Sequence, residues 1–155
     1  MKFSAPPAMV AEHQELHEEL ARAISSGGRT AEAAKAVGKA LHAHFLREEE
    51  FAIPPLGLLA ALARGEFSQD MADVLVMTDR LEAELPHMLA EHQVVLRALS
   101  GLAEAADAEG KPEAGQFARR LMLHAQTEEQ LSYPAAILVG KYVRAKLKKP
   151  PAAQG

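Results

Sequence analysis

Across 155 residues the chain has no cysteine, a formal net charge of −4, 48% apolar residues and 25% charged residues. The missing thiol excludes disulfides, thiol catalysis, iron–sulfur clusters and cysteine-based zinc sites together. With basic residues clustered only at Lys146, Lys148 and Lys149, charge patterning argues against nucleic acid, and no apolar run reaches the roughly 18 residues of a membrane span. The length fits one domain with a continuous core, spanning residues 1–155, and no apolar signal core precedes the first helix, so a cytoplasmic address is expected.

Pro6 and Pro7 open the first predicted helix, where proline fits the first turn, and its apolar stripe reads Met9, His13, Leu16, Leu20. Ser25 to Gly28 stop it, and Thr30 is the expected N-cap of the second helix. That helix carries Val37, Leu41, His44, Glu48 and Phe51 on one face until Pro54 and Pro55 break or kink it, with a short apolar continuation through Leu62. After a turn from Gly65 to Ser68, a linking helix is expected from about Gln69 to Leu85, and Pro86 restarts the chain as the third bundle helix. Its stripe is Met88, His92, Val95, Leu99, Leu102. The polar stretch from Asp107 to Pro112 is the next turn. The fourth helix presents Phe117, Leu121, His124, Glu128 and Leu131, followed by Pro134 and an apolar end near Val143.

The chain also repeats itself. His44 is followed by Glu48, Glu49 and Pro54; His124 is followed by Glu128, Glu129 and Pro134 at an offset of 80. Upstream, Ala-Glu-His13-Gln recurs as Ala-Glu-His92-Gln at an offset of 79. Two copies of a helical hairpin, joined by short connections, predict an all-α, up-down-up-down four-helix bundle, with the linking helix and the segments after the prolines capping one end.

Polar residues break the apolar stripes at one level. Each bundle helix places a histidine there (His13, His44, His92, His124), and the second and fourth add Glu48 and Glu128 one turn later, on the same face as their histidines. Ionised carboxylates in a low-dielectric core cost several kcal/mol unless compensated. Imidazole nitrogen with carboxylate oxygen suits iron, manganese or zinc, and bundle cores are where facing helices build such sites. A lone core histidine is ordinarily structural, but six polar residues at one level of two repeats are not explained that way. His17, one turn beyond His13, is a candidate seventh ligand, with Leu96 at the matching position of the second repeat. Glu49, Glu50 and Glu129, with Glu12 and Glu91, fall off the stripe and are read as solvated. His42 and His87 have no counterpart, and Tyr133, which stands where the first repeat has Ile53, is read as a structural ring.

The doubled HxxxEE-then-proline pattern, each copy with an EHQ partner helix, resembles the hemerythrin-like (HHE cation-binding) domain from about Pro7 to Val143. The resemblance implies a non-haem di-iron centre, oxo- or hydroxo-bridged, with manganese or zinc as alternatives. His13, His44, His92 and His124 would be terminal ligands, and Glu48 and Glu128 would bridge. Oxygen-carrying members use five histidines, with an HxxxH pair on the third helix and an aspartate on the fourth. Here Leu96 follows His92, and the fourth-helix carboxylate is Glu128. The HxxxH pair lies instead on the first helix, at His13 and His17, as if the fifth ligand had moved to the other half. The implied role is binding of, or reaction with, dioxygen, nitric oxide or peroxide in sensing, storage or stress protection. A peroxidase- or catalase-like enzyme and a metal-dependent interaction module are the alternatives.

Overall fold

The computed structural model describes residues 3–148, and the regular elements among them are all helical. Helix α1 spans Pro7–Ile24, with proline in its first turn as expected. Helix α2 spans Gly28–Arg47. It runs into a π turn, Glu48–Ala52, then a 3₁₀ turn, Pro54–Leu58. A short α3, Leu59–Ala63, and a second 3₁₀ turn, Gln69–Asp73, lead to α4, Val74–Glu109. Helix α5 spans Pro112–Thr127, a second π turn covers Glu128–Ser132, and α6 runs from Tyr133 to Leu147. The basic, proline-containing end from residue 149 lies outside the described residues.

Helices α1, α2, the second part of α4, and α5 form the bundle: α1 and α4 each pack against both α2 and α5. The apolar stripes face inward as the spacing requires, with Leu16, Leu41, Val95, Leu99, Leu102, Phe117 and Leu121 buried in one cluster. A second cluster gathers Phe51, Ile53, Leu56, Leu81, Met88, Tyr133 and Ala136. Beyond it, Leu58, Met71, Val74, Val139 and Val143 close one end of the bundle. Along α2 and the π turn after it, the first cluster ends at Phe45 and the second begins at Phe51, and His44 and Glu48 stand where the two meet. The polar level is therefore enclosed by apolar layers on both sides.

Four local expectations need correction. The linking helix and the third bundle helix are one helix, α4, with Pro86 inside it. An interior proline costs about 3 kcal/mol through a lost hydrogen bond and a steric clash. Here the ring is exposed, and the stripe Leu81, Leu85, Met88, His92 keeps one phase across it, so burial on both sides outweighs the loss. Thr30 is not an N-cap; Gly27 is, and Thr30 lies buried in the first turn of α2. The Asp107–Pro112 turn is shorter than expected, because α4 continues to Glu109 and closes on Gly110 in the left-handed conformation (φ 65°). Leu131, expected inside, is exposed at 66%.

The spacing alone did not announce the two π turns. The backbone N–H of Ile53 donates to the carbonyl of Glu48 at 2.9 Å, and that of Tyr133 donates to the carbonyl of Glu128. Each is a five-residue step, and proline follows at once in both repeats. A proline ring collides with the carbonyl four residues back in an α-helix, and the wider π turn moves that carbonyl aside. The turn alone does not expose Leu131, because Phe51, at the matching position of the first π turn, is buried.

Glu109, at the end of α4, closes the start of α2. Its carboxylate accepts from the backbone N–H of Arg29 (3.2 Å) and Thr30 (2.7 Å) and from the Thr30 hydroxyl (2.6 Å). These are first-turn donors with no partner inside the helix. The hydrogen bonds hold the Glu109 carboxyl down to about 2, with the Thr30 hydroxyl as the largest cause. A depressed carboxyl pKa contributes stability above the unfolded value, lost as pH falls through the folded one. Glu109→Ala is therefore expected to lower the melting temperature at pH 7 by about 2–4 °C, the scale of one lost cap in a chain of this size. The gap between variant and wild type should narrow as the pH falls from about 4 towards 2. A pH-independent gap would show that the capping charge is not its source.

Candidate metal centre

The six polar stripe residues converge. His44, Glu48, His92 and Glu128 bring ligand-type atoms within 4.8 Å of one another, and so do His13, His124 and Glu128. All six side chains are buried. Glu128 belongs to both groups: its Oε1 lies 2.7 Å from His124 Nε2 and 3.4 Å from His13 Nε2, and its Oε2 lies 3.4 Å from His92 Nε2. Glu48 leans to the first group, with Oε1 3.1 Å from His44 Nε2 and Oε2 3.9 Å from His13 Nε2.

His17 is not brought into either group. It is exposed, and its ring stands edge-on to Phe45 with centroids 4.9 Å apart. One turn of helix places it on the same face as His13, but further along the bundle than the level of the other ligands. His42 and His87 are exposed and lie outside both groups.

Tyr133, expected as a structural ring, reaches the site itself. Its hydroxyl is buried and donates to Glu48 Oε1. It also lies 3.3 Å from His44 Nε2 and 3.2 Å from His92 Nε2. In an uninterrupted α-helix a residue five places after Glu128 points about 140° away from it. The π turn brings position 133 back to the inner face. The proline after each Glu-Glu pair was the available signal.

Three off-stripe carboxylates also contact the site. Glu129 Oε1 is 2.8 Å from His92 Nδ1, and Glu12 Oε1 is 3.2 Å from His124 Nδ1. Glu91 Oε1 stands 3.8 Å from His44 Nδ1, itself held by Arg47 Nη1 at 2.6 Å. A residue next to a stripe position lies about 100° round the helix, at the seam with its neighbour, where it reaches a histidine of the adjacent helix. Reading each helix alone hides that geometry. At His92 and His124, where the outer nitrogen is hydrogen-bonded, these carboxylates fix ring orientation and leave Nε2 facing inward.

The charges are unbalanced within the chain. Burial and the neighbouring Glu128 charge push the Glu48 carboxyl up from its ordinary value. Burial opposes ionisation of Glu128 too, but the imidazoles of His124, His13 and His92 close around it outweigh burial and hold that carboxyl well below the usual range. Burial likewise disfavours protonation of His124, yet Glu128 and Glu12 take it up to about 9. Burial and the Glu48 and Glu128 charges raise the Tyr133 phenol, which stays a donor.

Four inward atoms, His13 Nε2, His124 Nε2, Glu48 Oε2 and Glu128 Oε1, are buried with no hydrogen-bond partner. Orphaned buried acceptors of this kind are costly, and they converge as ligands to a cation would. The residues present fit a metal. The family model for the hemerythrin HHE cation-binding domain matches residues 5–136. The chain belongs to the hemerythrin HHE cation-binding family. This hemerythrin domain is an all-helical bundle, and its buried His/Glu cluster fits a metal site. A search of curated proteins and a search of solved structures each found no match. Among the described residues no helix is long and apolar enough to cross a membrane.

Proposed function

We propose that this hemerythrin domain binds two metal ions, iron in the first instance, with Glu128 shared between them. The reading rests on one observation: a single buried carboxylate belongs to both ligand groups. Glu48 would complete the bridge from its position beside His44, with its unpartnered Oε2 directed towards His13. His44 and His92 would be terminal ligands on one side, His13 and His124 on the other. Charge supports a cationic occupant. Glu91 is matched by Arg47, whereas the buried Glu48 and Glu128 have imidazoles and, for Glu48, the Tyr133 hydroxyl as close partners, and bound cations would balance them.

Bound iron would supply redox chemistry and an open coordination position for dioxygen, nitric oxide or peroxide. The chain's own contribution is to hold six side chains at one level, exclude water with apolar layers on either side, and set a proton on the Tyr133 hydroxyl against Glu48 Oε1. Sensing, storage or protection from such small molecules follows as the role. The cytoplasm is the proposed address.

Elemental analysis of protein produced with ample iron and no chelating tag is expected to give about two metals per chain. The seven-ligand alternative predicts that His17→Ala changes the metal content or the charge-transfer spectrum. His17 is exposed and stands edge-on to Phe45, so we expect neither to change, and a shifted spectrum would return His17 to the ligand set. One zinc, or no metal, in the wild-type protein would overturn the di-iron reading and favour an interaction module.

A further inference from the structure

The two halves of the centre are related by the sequence repeat, and the relation fails at two positions in the same direction. Tyr133 places its hydroxyl among His44, His92 and Glu48, while its counterpart, Ile53, brings no polar atom to the other half. Glu129 engages His92 Nδ1, while its counterpart, Glu49, is exposed. Ile53 and Glu49 both line a cavity of about 360 Å³ that also includes His13 and His17. That volume lies at the small end of ligand-binding pockets. His13 is a buried polar member, with an unpartnered Nε2, beside the buried Ile53 and Pro54, and the exposed Val10, Gln14, His17 and Glu49 make its rim. The N-terminal segment, Phe3 to Ala5, forms part of the wall. That segment is seated closely: a Cβ on Gly57 would stand 2.1 Å from the carbonyl oxygen of Ser4.

Resting on the two-metal reading above, we infer that a small exogenous ligand, an anion or neutral molecule of a few heavy atoms, reaches the metal held by His13, His124 and Glu128 through this cavity. Ile53 keeps that position open, and Tyr133 closes the equivalent one on the other side. The residue pair at positions 53 and 133 thus decides which half of the centre is reactive.

The probe is azide, titrated and mixed rapidly with the full-length, metal-loaded protein and followed by its charge-transfer absorption, with metal content measured on the same samples. Ile53→Tyr supplies a phenol at the open position and is expected to weaken azide binding by at least ~10-fold with the metal content unchanged. Val10→Trp, a change at an exposed rim residue outside the ligand groups, is expected to slow azide association by ~3-fold or more without altering metal content. Gly57→Ala displaces the wall at Ser4 and is expected to speed association. Wild-type azide affinity in Ile53→Tyr, or wild-type association rates in both Val10→Trp and Gly57→Ala, would overturn the inference while leaving the two-metal reading standing. A wild-type protein without metal would overturn both, so the two failures are told apart by the metal analysis. Should Ile53→Tyr fail to fold, the rates of the other two variants decide.

Discussion

Glu128→Ala is expected to empty both metal positions at once, with metal content falling from about two per chain to near zero. One carboxylate faces His13, His92 and His124 at 3.4, 3.4 and 2.7 Å, so its removal takes a ligand from each group and leaves three inward imidazoles without their common anion. Losing a residue that merely supports a ligand costs about 10–100-fold in metal affinity, and losing a shared ligand should exceed the upper end of that range. Glu48→Ala provides the contrast, because Glu48 belongs to the His44 group alone. That variant should retain metal at the His13 side more readily than Glu128→Ala does. Elemental analysis and metal titration of both variants, with circular dichroism to verify helicity, make the comparison. If Glu128→Ala keeps two metals, the shared carboxylate is not a bridge.

Gly140→Ala is expected to be the most damaging single-methyl change away from the metal centre. Gly140 sits in α6 where that helix crosses the first part of α4, and a Cβ there would lie 2.1 Å from Thr78 Oγ1 and 2.6 Å from Thr78 Cβ. Thr78 is buried on a helix, and turning its hydroxyl away does not move its Cβ, so the helices must separate. Overpacking of this kind costs about 1–3 kcal/mol. In a chain of this length each kcal/mol lowers the melting temperature by roughly 2–4 °C. Thr78→Gly removes the opposing atoms, and the double variant should lose less stability than the two single variants added together. Additivity within about 0.3–0.5 kcal/mol would show that the two residues do not collide.

Most of this architecture is legible in the chain. His13, His44, His92 and His124 recur at one level of two repeats, and burial of an apolar stripe dictates which face turns inward, so the bundle and its six-residue polar level follow from spacing. What the spacing could not supply comes from contacts between helices and from local departures from α geometry. Glu12, Glu91 and Glu129 lie off every stripe, yet each reaches the histidine of a neighbouring helix. Tyr133 enters the site because of a π turn that a 3.6-residue periodicity does not describe. His17 shows the converse: it shares a face with His13, but sharing a face does not mean sharing a level. Pro86 marks a helix boundary by the usual rule, and here the unbroken burial of Leu81, Met88 and His92 overrides it.

The two π turns also bear on how the length of this chain is constrained. Each holds one residue more than an α-helical turn, and the wider turn absorbs it, so that Tyr133, five places after Glu128, stands near where the fourth residue of an α-helix would stand. Straightening the turn at its present length would rotate α6 by about 100° about its axis. Ala136, Val139 and Val143 would then swing away from the layer they close, together with the Tyr133 hydroxyl. Deleting one residue inside the turn as it straightens undoes that rotation, because Tyr133 then takes the fourth place. The number of residues between each HxxxEE motif and its proline is thus coupled to the local helix type, and the end of the bundle keeps its phase only when the two change together.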